Sequence, residues 1–246
     1  MFIYQILIEY DGTNFIGWQK QKNGISIQQN IEKVLKKILK QNISVYGSGR
    51  TDSGVHAIQQ SAHFQLKKEV VNRNKLLNSI NFFLNKKKIS ILSIKKKEKN
   101  FHARFSAKKR IYKYLIINRN SPLSLDYNKA WHIKKNLNIN LMKKGALILR
   151  KNKDFSTFRS SSCGAKSPIR NLDFIKIKKN KDKIILSFQS KSFLQNQVRS
   201  MVGCLKYLSE GKWSLDKFKA VIKSKNRKNC APPAPACGLY LESIIY

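Results

Sequence analysis

Acidic residues are scarce in this chain of 246: 13 Asp and Glu stand against 50 Lys and Arg, a formal net charge of +37. A chain so poor in carboxylates projects a field that draws in polyphosphate from a distance, so RNA or DNA is the expected partner. Part of the lysine excess is equally explained by biased genome composition, since Lys, Asn and Ile are all heavily used. No close pair of acids suggests the carboxylate couple of a glycosidase. Cysteine is also sparse: Cys163, Cys204, Cys230 and Cys237 include no C-x-x-C pair and have no neighbouring histidine, which argues against a metal site. No apolar run approaches membrane-spanning length, and Met1 to Tyr10 lack the basic start and small-residue cleavage site of a signal peptide. The expectation is a cytoplasmic, water-soluble protein with no membrane partner. Its 41% hydrophobic content is ordinary for a globular fold of one large or two small domains.

Residues 2 to 10 alternate as a strand and stop at Tyr10-Asp11-Gly12, a turn signal. The segment Phe15-Ile16-Gly17-Trp18-Gln19-Lys20-Gln21 mixes aromatic, amide and cationic side chains, as nucleic-acid grooves do. Lys20 and Gln21 are therefore candidates to touch RNA, and Trp18 reads equally well as core. Ser26 with Gln29 has the spacing of a capping box, and Ile31, Val34, Leu35, Ile38 and Leu39 mark one face of a helix to about Lys40. Strands are expected at 43–46 and 60–66, a helix at 72–84 and a strand at 89–94. The order βαββαβ is that of a ferredoxin-like or RNA-recognition-type lobe, with helices on one face of an antiparallel sheet. The aromatic RNP motif of ordinary RNA-recognition domains is missing, which argues against base stacking on the sheet face.

Phe101 to Ala107 reads as a linker into a second half. There strands are expected at 111–117, 172–177, 184–188 and 239–245, with helices near 141–149 and 193–208 and another capped by Ser214. The element order roughly repeats that of the first half. The fold class is therefore α+β, two such lobes with a cleft between them: an N-terminal lobe over 1–105 and a C-terminal lobe over 106–246.

The stretch Gly47-Ser48-Gly49-Arg50-Thr51-Asp52-Ser53-Gly54-Val55-His56-Ala57 joins two strands of the first lobe. Its glycines break regular structure and let backbone approach a ligand closely. Asp52 is its lone carboxylate, with Arg50 near enough to keep it ionised if both face one side. An Asx turn would account for Asp52 as well. In the second lobe Tyr112 offers a rigid ring and a hydroxyl from a strand, and Arg199 places a cation inside the apolar stripe Phe193 to Gly203. Taken singly, Tyr112 is equally a half-buried strand tyrosine and Arg199 a cation reaching out to water.

Taken together, these blocks resemble the tRNA pseudouridine synthase A family. The matching pieces are Glu9 to Gly12 with Gly17 to Gln21, Gly49 to Ala57, Phe101 to Phe105 running into Arg110 to Tyr114, Asp154 to Phe158, Phe193 to Gly203 and Ala234 to Leu241. They follow in the family's order over nearly the whole chain. The resemblance implies a pseudouridine synthase core and an isomerase that converts uridine to pseudouridine at tRNA positions 38, 39 and 40, with no cofactor or metal. It implies Asp52 as the essential catalytic aspartate, Tyr112 as the residue stacking on the target base, and Arg50 and Arg199 at the aspartate and the flipped nucleotide. It also implies a homodimer. Ser53 stands where the family usually has Ala, and Cys230-Ala231-Pro232-Pro233 lacks a glycine often found there.

Overall fold

The computed structural model describes all 246 residues. By contact the chain divides into two units, Met1–Lys108 with Tyr240–Tyr246, and Lys109–Leu239.

The first unit is organised around β1 (Phe2–Tyr10), which is antiparallel to both β3 (His56–Leu66) and β4 (Ile89–Lys97). As a central strand β1 carries much of the core: Ile3, Tyr4, Ile6, Ile8 and Tyr10 are buried, while Glu9 is exposed. Phe2 lies opposite Leu66 and Tyr10 opposite Ala57, with a bulge between Ile8 and Tyr10 that turns the end of the strand towards the loop that follows. The two-residue β2 (Tyr46–Gly47) pairs with β3 at Tyr46↔His63. Helix α1 (Ile27–Leu39) begins at Ser26, whose hydroxyl accepts the Gln29 N–H at 3.1 Å, and buries Ile27, Ile31, Val34 and Leu35. Helix α2 (Arg73–Leu84) buries Leu76, Ile80 and Leu84 and packs on β4 and α1.

The second unit pairs β5 (Lys109–Asn118) with β8 (Lys183–Ser190) and β8 with β7 (Leu172–Asn180), all antiparallel, while β6 (Trp131–Ile133) runs parallel to β5. Helix α3 (Ile139–Lys151) packs on β7 and on α4 (Gln197–Ser209), and α5 (Leu215–Lys223) packs on both helices. The closing strand β9 (Leu239–Ile245) pairs parallel to β3 at His56↔Tyr240 and Ala57↔Leu241. The fold is α+β with mostly antiparallel pairing. No helix is long and apolar enough to cross a membrane.

Several boundaries differ from the sequence reading. Residues 240–246, counted there with the second half, join the first unit. The Tyr240 ring lies on His56 at 4.7 Å, and the Tyr246 hydroxyl donates to the Ala103 carbonyl at 2.9 Å and shares a hydrogen bond with the Ser61 hydroxyl at 2.7 Å. The third strand starts at His56 rather than residue 60. The helix expected from Phe193 starts only at Gln197, because Asn196 adopts left-handed backbone at φ 62° and Gln197 Oε1 takes the Leu194 N–H at 2.8 Å.

Candidate active site

Asp52 sits on a loop fixed along its whole length by residues of the first unit. Ahead of it, the fully buried Gln60 accepts from Ser48 Oγ at 2.8 Å and donates to the Gly49 carbonyl at 2.8 Å. Thr51 is held twice: its carbonyl accepts the Trp18 N–H at 3.1 Å, and its hydroxyl meets the Tyr10 hydroxyl at 2.8 Å. Beyond Asp52, the Val55 N–H donates to the Asp52 carbonyl at 3.1 Å, closing a turn in which Gly54 takes φ 75°. Both Ser53 Oγ, at 3.1 Å, and the Gly54 N–H, at 3.3 Å, donate to the Phe15 carbonyl. The loop therefore has little freedom, although its composition is that of a flexible one.

The surfaces pressed against the loop explain why Tyr10 to Gly12 and Gly17-Trp18 accompany it in the sequence. Asp11 Oδ1 accepts both the N–H of Thr13, at 3.0 Å, and its hydroxyl, at 2.6 Å, which fixes the turn after β1. Partial burial would raise the Asp11 pKa, but these bonds and the nearby Lys88 ammonium hold it below the usual carboxylate value. The Gly12 N–H donates to His56 Nδ1 at 3.0 Å, so that nitrogen is an acceptor, and its 3.2 Å approach to Asp11 Oδ1 follows from the turn rather than from ionic attraction. Trp18, 2% exposed, is core. Lys20 and Gln21 continue the same segment outward and are both exposed; the Lys20 N–H is tied to Gln28 Oε1 at 3.0 Å. Arg50 is exposed on the loop itself.

The second unit holds the other two candidates. Tyr112, on β5, is 9% exposed and meets the Phe193 ring edge-on at 5.2 Å. Arg199 lies in the first turn of α4. Its Nε donates to the Ala234 carbonyl at 2.7 Å and its Nη1 to Asn196 Oδ1 at 3.3 Å, while its own carbonyl accepts the Ala234 N–H at 2.9 Å. The segment carrying Ala234 is fixed in turn by the buried Tyr114, whose hydroxyl donates to the Pro235 carbonyl at 2.8 Å. Burial pushes the Tyr114 pKa well above the ordinary tyrosine value, and the nearby Arg199 guanidinium offsets only part of it. Gly203 lets this segment lie against α4, since a Cβ there would fall 2.1 Å from the Pro232 carbonyl oxygen. Asp154 to Phe158 do packing work: Asp154 Oδ1 accepts from the Ser156 N–H and hydroxyl, and Phe155, Thr157 and Phe158 are fully buried. No group of three or more His, Cys, Asp or Glu side chains is placed to hold a metal ion.

Comparison with known proteins bears on this arrangement directly. A family model described as tRNA pseudouridine synthase matches residues 6–106 and 152–246. The chain belongs to that family. Asp52, Arg50 and Arg199 fall inside the matched segments, and Tyr112 lies between them. A relative from Pelagibacter ubique, named tRNA pseudouridine synthase A, is 61% identical over 246 residues and covers 100% of both chains. Proteins of the same name from Ehrlichia chaffeensis and Neorickettsia sennetsu are 45% and 42% identical, each over 99% of both chains.

One buried histidine makes the first unit sensitive to acid. His63, 1% exposed on β3, accepts the Ala103 N–H at its Nδ1 and sits at 4.6 Å from the His102 ring. Burial first, and then the neighbouring His102, lower its pKa to about 4 from the ordinary 6.5. Between those values the unfolded chain binds a proton that the folded chain refuses, so stability is complete above pH 6.5 and declines as pH falls towards 4. The size is of order 3 kcal/mol at the acid end. Urea titrations at pH 7 and 4.5 are expected to show this loss, and His63→Gln, which keeps an acceptor without a titrating ring, is expected to remove most of it. An equal loss in the variant would exclude His63 as the cause.

Proposed function

We propose that the protein isomerises uridine to pseudouridine in the anticodon arm of tRNA, at positions 38, 39 and 40, acting in the cytoplasm as a homodimer. The observation that carries this reading is a carboxylate, Asp52, on a loop clamped by Gln60, Tyr10 and the Phe15 carbonyl within a chain of net charge +37. A carboxylate repels phosphate, so a surface built only to bind RNA gains nothing from fixing one so firmly. The names of the relatives support the same assignment.

The reaction breaks the bond between uracil N1 and ribose C1′, turns the base and forms a bond from C5 to C1′. The hydrogen on C5 passes to solvent and N1 takes up one, so the formula is unchanged. A stacked uridine cannot undergo this, and the nucleotide has to leave its helix and be held outside it. In this reading Asp52 either attacks C1′ or removes a ribose proton, and both roles require it ionised. Arg50 and Arg199 supply positive charge beside the aspartate and the flipped nucleotide, and Tyr112 stacks on the uracil while it is detached. Lys20 and Gln21 lie on the path of the RNA.

Tritium release from tRNA labelled at uridine C5 and carrying uridine at positions 38 to 40 tests the assignment. Failure to release label from any such tRNA would overturn it. Binding is expected to weaken steeply with salt, each phosphate contact adding a slope of roughly −0.7 to −0.9 to log K against log salt. Lys20→Gln is expected to flatten that slope by about one contact, whereas Gln21→Ala, which removes no charge, is expected to weaken binding without changing it.

A further inference from the structure

Phe105 is 76% exposed, yet it stands on one of the most firmly fastened turns of the first unit. The Ser106 N–H donates to the His102 carbonyl at 2.9 Å, and His102 Nδ1 accepts the N–H groups of Arg104, at 3.1 Å, and Phe105, at 3.4 Å. Beneath them the fully buried Ala103 donates its N–H to His63 and accepts from the Tyr246 hydroxyl. The ring is thus held out by the fold and not left over at the end of a loose segment. It lies 4.4 Å from the His102 ring at 35°, and His102 is 6.0 Å from the ring of Tyr46, itself 49% exposed. The Arg104 guanidinium is 5.5 Å from the centre of the Phe105 ring, and Lys97 Nζ is 5.3 Å from that of Phe101. Flat rings rimmed by cations match a ligand that is flat and anionic at once.

We infer that Phe105, with Tyr46 and Arg104 beside it, is a stacking platform for an unpaired base of the RNA substrate, a base other than the reacting uracil. This rests on the proposed tRNA activity, in which Tyr112 takes the target base. Base stacking on an aromatic ring is tolerant of sequence, and an adjacent cation strengthens it while meeting the phosphate. Burial, and then the neighbouring Arg104, hold the pKa of His102 below the ordinary histidine value, so the ring between Phe105 and Tyr46 is neutral near neutral pH and the charge lies at the edge.

The experiment compares tRNA binding by filter retention for the unaltered protein, Phe105→Ala, Phe105→Trp and Arg104→Gln, with sedimentation and urea titrations of each. Phe105→Ala is expected to lose roughly tenfold or more in affinity with an unchanged salt slope, because stacking releases no counterions. Phe105→Trp is expected to restore binding, and Arg104→Gln to lose both affinity and slope. The urea midpoint of Phe105→Ala is expected to stay put, since the ring is exposed. Wild-type affinity in Phe105→Ala would overturn the platform and leave the proposed activity standing. A change from dimer to monomer in Phe105→Ala would assign the face to a second copy instead. Failure of the unaltered protein to bind tRNA would overturn both.

Discussion

Asp52→Asn is expected to lower the rate of pseudouridine formation by about 1,000-fold or more while tRNA affinity stays within a few-fold of wild type. The change is nearly isosteric and leaves the backbone contacts of the loop in place. The turn from Asp52 to Val55 is closed by the Asp52 backbone carbonyl, and the flanking residues are held by Gln60, Trp18 and Phe15. An amide in that place can neither attack C1′ nor accept a ribose proton, so both versions of the chemistry stop. Loss of an interaction made only in the transition state lowers kcat and kcat/KM together, which separates this outcome from damage to binding. Tritium release gives the rate and filter retention the affinity; release at the wild-type rate would remove Asp52 from the reaction. Asp52→Glu keeps the charge but moves it by a methylene, and a displacement near 1 Å costs about 100-fold in rate. An Asp52→Glu enzyme as active as wild type would show that only the charge matters there.

Much of the fold is legible in local pattern. The alternation in Phe2–Tyr10 gives β1, and the apolar spacing from Ile27 to Leu39 gives α1. The hydroxyls of Ser26 and Ser214 cap their helices, accepting N–H groups three residues on, each at 3.1 Å. These features depend on neighbours in sequence. What lies outside that reach depends on distant partners. Gln60 reads as one more polar residue of an alternating strand, and nothing nearby in sequence announces that it is fully buried and bound to Gly49 and Ser48. His56 looks like the tail of the Asp52 loop, whereas it is the acceptor that seats Gly12. Cys204 and Cys230 are far apart in the chain and share no motif, yet their sulfurs lie 3.4 Å apart. The match of Ala234 to Leu241 with the family carries no hint that the Ala234 carbonyl holds Arg199. The residues proposed to bear the chemistry are therefore easier to find in the sequence than the residues that hold them in place.

That division can be tested at Gly12, which touches no substrate in the proposed reaction. A Cβ on Gly12 would lie 2.0 Å from the Val55 carbonyl oxygen and 2.6 Å from its carbon, and backbone has no flexible end that can swing aside. Gly17 presents the same conflict with Thr51, its Cβ falling 2.4 Å from the carbonyl oxygen, and adds a φ of 108° that side chains seldom tolerate. Gly12→Ala is therefore expected to push residues 51–55 away from the end of β1. Overpacking of this kind costs about 1–3 kcal/mol, and at this chain length each kcal/mol lowers Tm by roughly 2–4 °C. A carboxylate carried off by an ångström also costs about 100-fold in rate. The signature is a fall in both Tm and kcat, where Asp52→Asn lowers kcat alone. Gly164→Ala, whose Cβ would meet nothing within 4 Å, is the control and is expected to change neither. A Gly12→Ala enzyme with wild-type rate and melting would mean that the aspartate loop tolerates displacement, and the rigidity argued for Asp52 would then have no part in the reaction.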